Sequence, residues 1–261
     1  MKIKLFTISF LFLLIITSCK FSHEPKVVVS IASQQYEVIK SDELSPDAEI
    51  DSIISIYKKG VDSIMNKVVI YSKQSMDKSK PSGPLDNLIT DAMLSEINKV
   101  VEMPVDIAFY NYYGIRQILP KGKVVIGNIF EILPFENQTT LVHLNPKGMR
   151  AMLHYIYRTG GQPISGIDIT YIDSLNYKVI IGDNDWDSTK YYWVATSDYA
   201  ANGGDNMNFF KESDSIFYTG VLLRDNLLNY IDIINNNGDL LEADTLLRIR
   251  FIEENRKTTK R

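Results

Sequence analysis

Apolar residues at Ile50, Ile53, Ile54, Tyr57, Val61, Ile64 and Met65 recur every three to four positions. That spacing predicts a helix over 46–65 with one apolar stripe, begun by Ser45 and Pro46 as cap and first turn. Val68 to Tyr71 reads as a strand, and Ser72 to Pro84 as a polar loop. A second helix follows, with Leu88, Ile89, Ala92, Met93 and Ile97 on one face and Asp86 placed to cap it. Asn87 and Asp91 share a side of that helix, four residues apart, and are read as structural groups holding neighbouring loops. Asp106 to Tyr110 and Thr139 to Leu144 have strand character. Pro146 to Arg158 is an amphipathic helix ended by Gly160-Gly161. Gly166 to Ile172, Val179 to Ile181 and Tyr191 to Thr196 are further strands. Leu222 to Ile234 is a helix closed by Asn235 to Gly238, and Thr245 to Ile252 a last strand. Helices and strands interleave, yet several strands join by short turns. The fold class is therefore α+β (mixed α/β), with layered helices and a mixed sheet.

The N-terminus changes this picture. Met1 to Lys4 is positive, Leu5 to Ile16 is apolar, and Thr17-Ser18 precedes Cys19, the single cysteine. The apolar run is too short to span a bilayer, which takes about 20 residues. It reads as a secretory leader over 1–18 with Cys19 as a lipidated N-terminal residue. Ile16-Thr17-Ser18 departs from the commonest residues before such a cysteine, although Ser is an accepted small one. The expected location is lipid-anchored in the cell envelope, periplasmic or on the outer-membrane surface. Residues 19–45 form a tether, with an added β segment at Val27 to Ile39. The main domain runs over 46–254, and 255–261 is a basic, solvated tail. With Cys19 in the anchor, no disulfide forms. An apolar fraction of 45 % allows a sizeable core, and a net charge of −4 gives no basic field for nucleic-acid polymers.

The chemistry concentrates in three stretches. Ser197-Asp198-Tyr199-Ala200-Ala201-Asn202-Gly203-Gly204-Asp205 ends a strand with residues that permit positive φ and close backbone approach, flanked by an aromatic ring and a carboxylate. Taken alone it also reads as a hairpin turn with a solvated Asp. Asn111-Tyr112-Tyr113-Gly114-Ile115-Arg116 follows a strand. Gly127 to Asn137, containing Leu133-Pro134-Phe135-Glu136-Asn137, runs into another. Together with Asp86-Asn87-Leu88-Ile89-Thr90-Asp91-Ala92-Met93 upstream, and in this order, the chain resembles the C-terminal domain of the 5'-nucleotidase family over roughly Lys67 to Ile252. The resemblance implies that family's layered fold and a pocket for the nucleoside part of the substrate. A separate metallophosphoesterase domain does the chemistry in that family.

By resemblance, Phe135 and Tyr199 match two rings that sandwich the base, Tyr199 standing where many members have Phe. Arg116 matches an Arg facing phosphate or ribose, Asn111 an Asn that contacts base or ribose, and Asp205 the carboxylate that holds ribose hydroxyls. Asn111 alternatively caps its own turn. Tyr113, Asn202, Gly203 and Gly204 are further pocket candidates, Asn202 more as the residue shaping the Gly-Gly turn. Tyr112 and Tyr113 replace two glycines usual in the family, and either narrow the pocket, add a stacking face or cover it. A second Arg ahead of the Asn-Leu-Ile helix is missing, with only Lys80 nearby. The family's linking helix is expected here, over 46–65, to pack on the domain's own sheet.

A two-metal phosphoesterase needs clustered His, Asp and Asn ligands. The three histidines, His23, His143 and His154, show no ligand spacing, and no Asp-x-His, Gly-Asn-His-Glu or His-x-His is present. No catalytic residue, metal ligand or cofactor is assigned to this chain, and divalent metals are expected only in a partner. Three readings compete. The chain is the nucleotide- or nucleoside-binding half of a split 5'-nucleotidase whose metal domain is a separate metallophosphoesterase chain. Otherwise it is a non-catalytic nucleoside-binding lipoprotein, or a degenerate domain kept for structure or interaction.

Overall fold

The computed structural model describes residues 47–252. The leader and Cys19, the β segment at 27–39, the cap at Ser45 and Pro46, His23 and the tail at 255–261 lie outside the described residues. The first helix, α1 (Ala48–Met65), forms as its spacing predicts, but its stripe is not buried on the domain's own sheet. No residue of α1 is buried; Ile53, Ile54, Val61 and Ile64 are half exposed and Tyr57 is 73 % exposed. The physical reason lies in the body. The sheet face on the side of the first core is covered by three other helices instead.

Those helices are α2 (Pro84–Val100), α3 (Ile126–Ile132) and α6 (Leu223–Asn236). They cover one face of a five-stranded sheet in the order β10 (Ser213–Leu222), β4 (Gln138–Leu144), β9 (Tyr192–Ser197), β2 (Ile107–Phe109) and β5 (Ile164–Ser165). Only the β9–β2 pair is parallel, so the sheet is mixed. Strand side chains alternate between faces, and here both faces are apolar. Ala108, Leu141 and Ala195 join Leu85, Ile89, Met93, Ile129, Leu227 and Ile231 in a first core. Ile107, Phe109, Val142, Leu144 and Val194 join a second.

The second core is filled by Met149, Met152, Leu153 and Ile156 of α4 (Pro146–Thr159) and by a four-stranded sheet. That sheet has the order β11 (Ile249–Phe251), β6 (Ile167–Tyr171), β7 (Tyr177–Ile181) and β8 (Asn184–Asp185), with β11 parallel to β6. Asn145 caps α4, its Oδ1 accepting from the Gly148 N–H at 2.8 Å, and Gly160 ends it at φ 76°. β1 (Val68–Ser72) pairs with β3 (Gly122–Val125) in a separate two-stranded ribbon.

Two elements differ from expectation. The last strand is shorter than Thr245 to Ile252, because Asp244 Oδ1 accepts from the Leu246 N–H at 2.9 Å and turns the chain before Ile249. Asp86 caps from inside its helix. It is the third helical residue, and its Oδ2 accepts from the N–H groups of Gly83 (2.8 Å) and Ser79 (3.0 Å). Asn87 and Asp91 hold neighbouring segments. The Asn87 amide donates to the carbonyls of Asp244 and Leu246, and Asp91 pairs with Arg248.

Candidate ligand-binding site

The sheet order brings the C-terminal end of β2 beside that of β9, its parallel neighbour, and each strand leaves the sheet through a turn. After β2 comes Asn111 and a single 3₁₀ turn, Tyr112–Gly114, with Arg116 beyond it. Gly114 is buried, and a Cβ there would lie 2.5 Å from the Tyr110 hydroxyl. Any larger residue would push the turn off that ring. Tyr110 itself is buried, which drives its phenol up to about 12, and it bonds to the side chain of Asn137. The first turn is thereby tied to the segment that carries Phe135.

After β9, Ser197 caps the short helix α5 (Asp198–Ala201) through its Oγ, which accepts from the Ala200 N–H at 3.0 Å. The stretch is a helical turn followed by Gly203 at φ 89°, rather than a hairpin. Gly204 sits under the Tyr199 ring, where a Cβ would be 2.3 Å from Cε1. Asp205 takes a left-handed backbone, φ 49° and ψ 29°. A non-glycine residue there costs of order 1 kcal/mol and has to be held by its surroundings.

These turns enclose a cavity of about 320 Å³ lined by Asn111, Tyr113, Arg116, Phe135, Asn137, Tyr199 and Asp205. The volume falls at the small end of ligand sites. Asn202, Gly203 and Gly204 line a shallower depression that shares Asn137 and Tyr199 with the cavity. Asn202 shapes the turn, donating from Nδ2 to the Asp198 carbonyl at 2.8 Å.

Within the cavity Phe135 and Tyr199 are each nearly half exposed, the state of rings that present a face. Asn111 does not cap its own turn. It is 6 % exposed, and its Nδ2 donates to Asp205 Oδ2 at 3.1 Å. Its Oδ1 is buried with no hydrogen-bond partner, and such groups carry a desolvation cost of about 1–3 kcal/mol. Arg116 lies with its guanidinium carbon 5.9 Å from the Phe135 ring centre, and its Nη1 reaches the Tyr113 carbonyl at 3.5 Å.

The paired tyrosines take different roles. Tyr113 is exposed and lines the cavity; Tyr112 does not. The Tyr112 ring lies under two ammonium groups, Lys78 Nζ at 4.6 Å and Lys80 Nζ at 4.9 Å. Lys78 donates to the carbonyls of Tyr112 and Ile115, and Lys80 to that of Thr159. Burial lowers the pKa of both lysines. Neither lines the cavity, so Arg116 is its cation among the described residues.

Three contributors carried no role in the sequence reading. Asn137 stands at the end of the Pro134-Phe135 motif and ties it to Tyr110. Tyr155, on α4, donates from its hydroxyl to the Asp205 carbonyl at 3.0 Å; its place in an amphipathic helix is indistinguishable from that of a core ring. Tyr110 likewise reads as an ordinary strand residue. For a metal centre the described residues do not fit. His143 stacks on Trp193 at 4.5 Å, and His154 is exposed on α4. No group of three or more His, Cys, Asp or Glu side chains among the described residues is placed to hold an ion.

Known proteins resemble this chain in sequence and in fold. The trifunctional nucleotide phosphoesterase protein YfkN of Bacillus subtilis is 25 % identical over 218 residues, 73 % of this chain and 14 % of that one. Endonuclease YhcR of the same organism is 28 % identical over 134 residues, 49 % of this chain and 10 % of its own length. The 5'-nucleotidase precursor of Thermus thermophilus superposes with a TM-score of 0.66 at 24 % identity, over 78 % of this chain and 43 % of that structure. The chain thus spans less than half of each of these proteins. The profile of the 5'-nucleotidase C-terminal domain matches residues 65–212, more than half of the sequence and all three turn motifs. With that match and the shared fold, the chain belongs to the 5'-nucleotidase C-terminal domain family.

Proposed function

We propose that the chain binds the nucleoside part of a nucleotide in the cavity between Phe135 and Tyr199. In this reading it is the substrate-binding half of a nucleotide phosphohydrolase whose metal-bearing phosphoesterase is a separate chain. The observation that carries the reading is the lining of one cavity, where two half-exposed rings, Phe135 and Tyr199, stand with the carboxylate of Asp205 and the guanidinium of Arg116. A base supplies a planar π-face and N–H donors, a ribose supplies hydroxyl donors to Asp205, and a phosphate supplies the anion for Arg116. The cavity stays open with Tyr113 on its wall, which favours a working pocket over a retired one. The absence of a metal-competent cluster among the described residues is the reason the chemistry is assigned to a partner. Lipidation at Cys19, holding the chain at the envelope, belongs to the same proposal.

The test is calorimetric titration of adenosine and AMP into the full chain. Both are expected to bind, and Phe135→Ala is expected to weaken both by about 1–3 kcal/mol, the worth of one base–ring stacking contact. Arg116→Ala is expected to remove any preference for AMP over adenosine. Silence with both ligands at millimolar concentration would sink the reading. Binding with no gain of AMP hydrolysis when metallophosphoesterase chains of the same cell are added would favour a binding protein without catalysis.

A further inference from the structure

We propose that the chain pairs with a second copy of itself along β10, the two strands antiparallel and centred on Phe217, so that two five-stranded sheets join across a twofold axis. This stands independently of the nucleoside reading above. β10 closes one end of its sheet, with β4 on one side and, among the described residues, no strand on the other. The outer side of such a strand carries unpaired backbone N–H and C=O groups that a further strand can satisfy, and folded proteins blunt such edges with lysine, proline, bulges or very short strands. β10 has ten residues and neither Lys nor Pro, and its register shifts only towards the ends, between Ser213 and Ser215 and between Tyr218 and Leu222. In between, Ser215 to Tyr218 run in unbroken register with His143 to Thr140 of β4. There Ile216, Phe217 and Tyr218 are 39 %, 48 % and 49 % exposed. The open edge thus offers apolar surface on both faces of the sheet, Phe217 on the side of Leu141, and Ile216 and Tyr218 on that of Val142 and Thr140.

The residue order around Phe217 selects a second copy as the occupant. A twofold axis at Phe217 sets Phe217 opposite Phe217, Ile216 opposite Tyr218 and Ser215 opposite Thr219. Aromatic–aromatic, aromatic–β-branched and Ser–Thr neighbours are all favourable cross-strand pairs. The charges fit the same register. Ser215 to Leu223 holds no charged residue, and Asp214 falls opposite Gly220. Two chains that each carry a net charge of −4 therefore meet where neither sets a like charge against the other. The bulges at either end confine regular pairing to Ser215 through Thr219, so the contact belongs with small, transient interfaces.

Sedimentation of the full chain over a concentration series is the test, with the thermal midpoint of every variant recorded. The wild type is expected to show a reversible equilibrium between monomer and dimer. Phe217→Glu is expected to weaken dimerisation by at least about tenfold, because two carboxylates then oppose one another where two rings met. Phe217→Lys is expected to do the same for the same reason. An equal mixture of the two variants is expected to associate again, to within about tenfold of the wild type, since only the mixed pair sets opposite charges face to face. Ile216→Lys, on the other face of the edge, is expected to give a similar loss and serves if the Phe217 variants do not fold. A wild type that stays monomeric to millimolar concentration would overturn the inference, even if the edge pairs with a different protein. A dimer indifferent to these substitutions would place the contact elsewhere and overturn it too, as would a mixture of folded Phe217→Glu and Phe217→Lys chains that stays monomeric.

Discussion

Arg248→Ala is expected to destabilise the protein by about 3 kcal/mol, read as a lowered denaturant midpoint with the slope unchanged. The guanidinium is 13 % exposed and forks onto Asp91, with Nη1–Oδ1 at 2.8 Å and Nη2–Oδ2 at 2.6 Å. Its Nη2 also meets Asp244 Oδ2 at 2.7 Å, and its Nη1 donates to the Ile164 carbonyl at 2.9 Å. Ser165 Oγ completes the network by donating to Asp91 Oδ1. One side chain thus joins α2, β5 and the segment that leads to β11. Truncation removes these bonds and leaves two carboxylates facing one another without a cation. Both remain about one-third exposed, so water repays part of the loss and the figure sits at the low end for buried pairs. Arg248→Lys keeps the charge but not the fork, and is expected to recover less than half of the lost stability. Hydrogen exchange should show β11 opening first, since that strand follows Arg248 directly. An unchanged midpoint in Arg248→Ala would show that the second core alone holds the C-terminal segment.

A pH dependence centred on Asp86 is a second large expected effect. Burial raises its pKa from 3.8 to about 7, against the pull of two backbone N–H bonds and of Lys78. The Oδ1 atom is buried without a partner, and Oδ2 takes both N–H groups, so the native site favours the protonated form on the Oδ1 side. The folded pKa is higher than the unfolded one, so between those values the folded state binds more protons. Stability from this group is therefore complete at low pH and is lost as pH rises through about 7. At roughly 1.4 kcal/mol per pH unit, the full swing is on the order of 4 kcal/mol. Denaturant midpoints of the wild type should fall between pH 5 and pH 8 relative to those of Asp86→Asn. Asparagine cannot titrate, yet its Oδ1 can still accept from Ser79 and Gly83. Parallel pH profiles for the two proteins would refute the assignment. The loop held by Asp86 carries Lys78 and Lys80 against Tyr112, so loosening at high pH is expected to reach the wall of the cavity.

The local patterns along the chain determined a good deal. Three-to-four spacing defined α1, α2, α4 and α6, because a helical face is written within a few turns of chain. Alternation and β-branched content marked β4, β6 and β9. The order of the four motifs pointed to the family, and Asn111, Arg116, Phe135, Tyr199 and Asp205 do gather around one cavity. β10, β3, β5 and α3 were not legible. β10 is an edge strand with exposed residues on both faces and bulges at either end, so its alternation is broken. Strands β5 and β8 span two residues each, too few for any period to register.

Contacts between distant positions were decided only by the tertiary structure. Asn111 and Asp205 meet across 94 residues because β2 and β9 are parallel neighbours, an adjacency that no local period encodes. The sequence shows that α1 has an apolar stripe; only the assembled body shows that three other helices cover that face of the sheet and that the stripe is not buried. The sequence places only Lys80 near the missing second Arg ahead of α2, whereas the fold sets both Lys78 and Lys80 over Tyr112 and leaves Arg116 to face the cavity. Period and propensity act over a few residues, so a sequence states which faces are apolar and which turns are tight. Which face meets which, and which donor finds which acceptor, follows from sheet order, where the cost of burying each polar group is settled by partners far away in the chain.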